Sequence, residues 1–253
     1  MTRRWLIALA IAGFLYGMLM RAPAATLAWY GLVKSGGGTE LYGLQGTLGE
    51  GTLTGLQFGG RRVTMDLRWT LKPLWLLLGQ ARFHVTGSGS DTATSGDVAL
   101  APLHTVRLRS FQASGGLKPV LAAAGQAFLP VDGQVSVDAD QVTFNKGVLQ
   151  NLAGTVHIQQ LMWTLARDPV ALGDFQAQVS SDKADSVAKI ESTGGPMELS
   201  GDGRLGADQT WQVDLKFRLK SDATPMLRNL VAGAGAPDAQ GWYHLKQSGK
   251  LKS

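Results

Sequence analysis

Two stretches of strict alternation constrain this chain more than any other feature. Val63, Met65, Leu67, Trp69 and Leu71 alternate with Thr64, Asp66, Arg68 and Thr70. Trp211, Val213, Leu215, Phe217 and Leu219 alternate with Gln212, Asp214, Lys216 and Arg218. A period of two sends successive side chains to opposite faces, so each stretch offers one face to a core and the other to water. Antiparallel sheet has this pattern, whereas parallel strands are buried on both faces. Shorter versions occur at Val106 and Leu108, at Val135 and Val137, and at Phe175, Ala177 and Val179. Clusters rich in Gly, Asp and Ser, at residues 87–96 and 201–206, read as turns between strands. The 33 glycines suit a chain with many turns, because Gly alone enters positive φ without steric cost. The expected fold is mainly β, with antiparallel sheets and short helices.

The pattern recurs along the chain. Trp69-Thr70-Leu71 precedes Leu78-Gly79 and a strand ending Phe83-His84-Val85. Trp163-Thr164-Leu165 precedes Leu172-Gly173 and a strand from Phe175 to Val179 at the same offset. Gly51-Thr52-Leu53 matches Gly147-Val148-Leu149, and Pro119-Val120-Leu121 matches Pro225-Met226-Leu227. Each half reads as several strands, a short helix with Pro in its first turn, and a closing strand. Two repeated β units are expected, over residues 31–138 and 139–253, behind a segment at residues 1–30.

That first segment is apolar. Arg3 and Arg4 precede an unbroken run over residues 5–20 that includes Trp5, Leu6, Phe14, Leu15 and Met20. At 1.5 Å per residue the run reaches roughly 24 Å, against a hydrocarbon core of about 30 Å. Arg21 can snorkel, and Trp29 and Tyr30 suit the far interface. The excess of Arg before the run predicts a single-pass inner-membrane anchor with a cytoplasmic N-terminus and the bulk in the periplasm. Two rival readings stand beside it. Ala22-Pro23-Ala24 resembles a signal-peptide cleavage site, and the paired Arg resembles a twin-arginine signal.

Composition excludes several classes of function. The chain has no Cys, which rules out disulfides, thiol nucleophiles and Cys-ligated metal. The net charge of +5 does not imply nucleic acid, because Arg3, Arg4 and Arg21 flank the apolar run. The other cations are spread singly, with no basic cluster interleaved by aromatics. Gly201-Asp202-Gly203-Arg204-Leu205-Gly206 fits G-x-G-x-x-G, but a strand pattern follows where a phosphate site needs a helix N-terminus. His84, His104, His157 and His244 lack a second ligand at i+2 or i+4 and read as structural. No enzyme activity, cofactor, metal or small-molecule substrate is expected.

Trp69 and Trp163 are candidate core anchors, with a partner surface as the competing role. The run Leu74-Trp75-Leu76-Leu77-Leu78 reads as a buried helix-like corner, or as a patch touching the membrane or a partner. Trp242 opens the last strand pattern, after which little sequence remains to cover an edge.

The order of these motifs resembles the type II secretion system protein N family. The resemblance rests on Pro23-Ala24, the turn Gly46-Thr47-Leu48-Gly49-Glu50-Gly51, and Trp69-Thr70-Leu71-Lys72-Pro73-Leu74 followed by Leu78-Gly79. It continues through Gly154-Thr155, Pro169 to Gly173, Gly195-Pro196-Met197-Glu198-Leu199-Ser200-Gly201, and the tail from Gly235 through Gly241 to Leu251. The family pattern has Trp inside the first turn, where this chain has Gly49. The resemblance implies a non-catalytic accessory part of the secretion machinery. Its expected partners are other type II secretion proteins, in the inner-membrane platform or the secretin, together with the inner membrane itself. The alternative is an envelope β protein that binds lipid or lipoprotein in an apolar groove lined by residues 74–78.

Overall fold

The structure is a computed structural model. It describes residues 21–24, 40–58, 61–101, 105–123, 126, 128–145, 148–165, 168–182, 185–206, 208, 210–233 and 235–250. The chain forms two compact units, Met1–Pro102 and Leu103–Ser253.

In the first unit the strands are β1 (Glu40–Tyr42), β2 (Gln45–Gly46), β3 (Glu50–Phe58), β4 (Arg61–Leu71), β5 (Ala81–Ser88) and β6 (Thr92–Ala101). A 3-10 helix, Pro73–Leu78, joins β4 to β5. The order is β1-β3-β4-β5-β6, all antiparallel, with β2 also on β3. Alternation in β4 works as its sequence requires: Thr64, Asp66, Arg68 and Thr70 are exposed while Met65, Leu67 and Trp69 are half-buried. Leu71 is 3% exposed. The register puts Trp69 opposite Gly51, and its ring occupies the space a Gly51 Cβ would need. Trp69 Nε1 donates to Thr47 O at 3.2 Å, and Leu71 N donates to Gly49 O at 2.6 Å. Pro23 bridges to Thr47, and Leu48 N donates to Ala22 O at 3.0 Å. Three motifs that are far apart in sequence therefore close one corner.

The second unit is a meander of β7 (Thr105–Gly116), β8 (Val131–Asn145), β9 (Val148–Trp163), β10 (Val170–Asp182), β11 (Asp185–Gly194), β12 (Met197–Leu205), β13 (Thr210–Leu219) and β14 (Tyr243–Lys250). Each strand pairs antiparallel with the next. Helix α1 (Leu117–Ala123) follows β7, and helix α2 (Pro225–Ala232) follows β13. Thr224 caps α2, its side chain accepting from Leu227 N at 3.3 Å. Leu227 and Val231, four residues apart, share the buried face of α2. They join Val170, Phe175, Met197 and Ala223 in one core cluster, ringed by Trp163, Leu199, Phe217 and Tyr243. Leu227 is 0% exposed. Burial of such a side chain contributes about 1.5–3 kcal/mol.

Strands of fifteen and sixteen residues need relief from regular twist, and β8 and β9 supply it with register shifts. At the β10–β11 end, Gly173 (φ +122°) and Gly195 (φ +91°) pack backbone to backbone. A Cβ on Gly195 would collide with Gly173 Cα, so only glycine fits there.

Several expectations require correction. Among the described residues no helix is long and apolar enough to cross a membrane. Helices α1 and α2 have seven and eight residues, about 10–12 Å of length against a hydrocarbon core of about 30 Å. The expected fold is corrected to that extent: the described residues supply no transmembrane helix, and so none of the single-pass inner-membrane anchor and topology drawn from it. Residues 5–20, with Trp5, Leu6, Phe14, Leu15 and Met20, lie outside the described residues.

The motifs matched between the halves do not fall at equivalent strand positions. Three strands separate Trp69-Thr70-Leu71 from α1, while four separate Trp163-Thr164-Leu165 from α2. Gly51-Thr52-Leu53 lies in a hairpin with β4, whereas Val148-Leu149 begins one long strand. Residue 138, the expected end of the first repeat, lies within β8. The glycine clusters are also mostly strand. Residues 201–205 lie in β12, and just beyond it Gly206 N donates to Thr210 O at 2.8 Å. Gly201 serves close approach, since a Cβ there would meet the Asp214 carbonyl and Leu215 Cα.

Candidate functional site

The last strand of the second unit has the most unused bonding capacity. Among the described residues β14 pairs with β13 alone, from Phe217↔Tyr243 to Thr210↔Lys250. In an antiparallel strand about half of the backbone N–H and C=O groups point to each side, so one row faces away from β13. An eight-residue edge of this kind is a template for another strand.

The edge is held rigidly at its start. The Asp238 carboxylate accepts from Gln240 N at 2.8 Å and from Trp242 N at 2.9 Å through Oδ1. His244 Nε2 lies 3.0 Å from its other oxygen. Asp238 N donates to Trp242 O at 2.8 Å, and Gly241 N donates to Asp238 O at 2.9 Å. The hydrogen bond from His244, with those from the Trp242 and Gln240 amides and the His244 charge, outweighs slight desolvation and holds the Asp238 carboxyl below its usual range. Gly241 completes the turn at φ +81°. Asp238 and Gly241 belong to the tail segment that carried the family resemblance, and that segment has a local structural role in aiming β14.

Alternation then sorts the side chains. Trp242 lies on the side of Lys216 and Arg218, whose cationic groups sit 5.1 and 4.5 Å from its ring centroid. Arg218 Nε is fixed by Glu198 Oε2 at 2.7 Å across the β12–β13 pair. Tyr243, one residue on, faces the core and stacks on Phe217 with ring centroids 5.2 Å apart. Leu245 follows on that same face, opposite Leu215, and remains 42% exposed. Lys246 returns to the polar face and pairs with Asp214 at 2.7 Å.

The other expected residues lie elsewhere. Trp69 is half-buried over Gly51, and Trp163 is half-buried against the α2 cluster. Trp75 is half-buried in the 3-10 corner, with the Arg82 guanidinium 3.5 Å from its ring centroid. Leu74, on the same corner, is 76% exposed. Trp242 alone of these belongs to the edge. Sequence placed Asp238 only within the tail motif and His244 only among structural histidines, and it did not mark out Lys246. The signal available for them was the Asp-x-x-Gly turn before a final alternating strand. Among the described residues no group of His, Cys, Asp and Glu is placed to hold a metal ion.

The described residues define a β protein of meandering antiparallel strands and short helices, with β14 paired on one side. Residues 37–246 match the family model described as Type II secretion system (T2SS), protein N. The chain belongs to that family. It is a non-catalytic accessory component of the type II secretion system and associates with other proteins of that system. Comparison with curated proteins and with solved structures gave no match.

Proposed function

We propose that the chain docks another type II secretion protein by accepting one of its strands along the free edge of β14. The observation that carries this reading is the single-sided pairing of an eight-residue strand whose apolar residue Leu245 remains 42% exposed. Strand addition would satisfy the outward backbone groups and cover Leu245 in one step. The Asp238 turn supports the reading as well, because a pre-set edge loses little entropy when it pairs. Trp242, held over Lys216 and Arg218, would border the docked strand at its start.

The test is a photo-crosslinking amino acid at position 245 or 247 of the full chain, in cells that carry the secretion apparatus. Position 189 on β11, which is paired on both sides, serves as the control. Cross-links at 245 and 247 to a protein identified by mass spectrometry as a type II secretion component, and none at 189, are expected. Equal cross-linking at all three positions, or none at the edge, would overturn the proposal.

A further inference from the structure

The chemistry of β14 restricts what can pair with it, given the docking reading above. We infer that the incoming segment is an extended strand in which carboxylates alternate with apolar residues. Between Tyr243 and Lys250 the chain carries His244, Lys246 and Lys250 and no Asp or Glu. These three are even-numbered, so they share the polar face of the strand, while Tyr243 and Leu245 share the other.

On the polar face a row of charges runs across the sheet. Lys189 pairs in register with Asp202, Asp202 with Asp214, and Asp214 with Lys246. Asp214 and Lys246 close to 2.7 Å, and the row stops there, at a cation with 74% of its side chain exposed. Opposite charges facing one another across paired strands stabilise the pairing, and like charges weaken it. A carboxylate in the next position outward would therefore continue the row. A second carboxylate four residues along the incoming strand would face Lys250. One position beyond the first carboxylate, away from the second and on the opposite face, an apolar side chain would cover Leu245, whose inner neighbour is Leu215. A second β14 does not fit: antiparallel pairing of β14 with itself sets one cationic strand against another, with no acid in either.

The test uses the full chain and three blocked eight-residue peptides, followed by fluorescence anisotropy at low salt. One alternates glutamate with valine, one alternates lysine with valine, and one carries the glutamates and valines in two blocks. The alternating acidic peptide should bind about tenfold more tightly than either of the others, with the preference falling as salt is added. Lys246→Glu should reverse the preference between acidic and basic peptides. Lys250→Glu, which leaves the Asp214 pair intact, should reduce it. Equal binding of acidic and basic peptides, or a preference untouched by both substitutions, would overturn the inference. So would edge cross-links that persist while no peptide binds; in that case the docking reading would survive and the charge pattern would not. Loss of the cross-links themselves would remove the docking reading instead.

Discussion

Pro73 follows β4 and Pro225 follows β13, and each opens a helical turn, yet the two corners have opposite fates. The corner at Pro73–Leu78 is the more apolar, with Leu-Trp-Leu-Leu-Leu after its Pro. It forms a 3-10 turn without a side-chain cap and leaves Leu74 76% exposed. Pro225–Ala232 is more mixed, carrying Arg228 and Asn229, and it buries Leu227 completely. The difference lies in spacing and capping. Leu227 and Val231, at i and i+4, fall on one face of an α-helix, with polar residues opposite. Thr224 satisfies an amide of the first turn, and Lys72 offers no equivalent. An unbroken apolar run cannot choose a face, so it does not specify which side is buried.

The largest effect should come from the buried side of this comparison. Leu227→Ala should cost about 2–5 kcal/mol in urea unfolding, and Leu74→Ala less than about 0.5 kcal/mol. Similar losses at the two positions would mean that the corners are not different in the way described. Next come the tryptophans beside each corner. Trp69→Ala and Trp163→Ala should each cost about 2–3 kcal/mol, below the 3–5 kcal/mol usual for Trp because both rings are half-buried. A Trp163 variant of unchanged stability would detach that ring from the α2 cluster. Thr224→Ala should then cost about 1 kcal/mol, with Thr224→Ser recovering most of it. Recovery by Val instead would show that shape matters at this cap and the hydroxyl does not.

The smallest effect belongs to the ion pairs beside the 3-10 corner. Asp97 accepts from Lys72 at 2.7 Å and lies 2.9 Å from His84 Nδ1. Partial burial raises its carboxyl, but the hydrogen bonds and charges of Lys72 and His84 outweigh that and hold it below 3.8. A carboxyl depressed in the folded state contributes stability that is present above 3.8 and is lost as the pH falls through its folded value. Asp97→Asn should therefore lower stability slightly at neutral pH, flatten the acid limb of an unfolding curve and leave the most acidic end little changed. The pairs are largely exposed, so added salt should shrink the difference.

Strands β4 and β13 were legible because their alternation is long and unbroken, and a period of two has one structural meaning. Helices at Pro119 and Pro225 were legible because Pro fits only the first turn. The strand character of residues 201–205 was not. Gly201 reads as a turn residue in isolation, and only the carbonyl of Asp214 beside it explains its presence in a strand. The motif matches misplaced individual strands for a related reason. Short matches such as Trp-Thr-Leu record local alternation, while the number of strands between them depends on where each hairpin turns. Trp242 was marked in sequence, but its Lys216 and Arg218 neighbours come from another strand.

The order of residues was enough to set the class of this protein: antiparallel β, no cysteine chemistry, and membership of a secretion family visible in motif order. It was also enough to set which face of β13 and β14 is apolar, because side-chain direction follows from residue parity. Two features emerged only on folding. They are which cation ends the Lys189–Asp202–Asp214–Lys246 row, and which side chain of the Pro73–Leu78 corner stays in solvent. The two groups differ in range. Parity and capping are properties of a few neighbouring residues, whereas an edge exists only when all the other strands have found their partners.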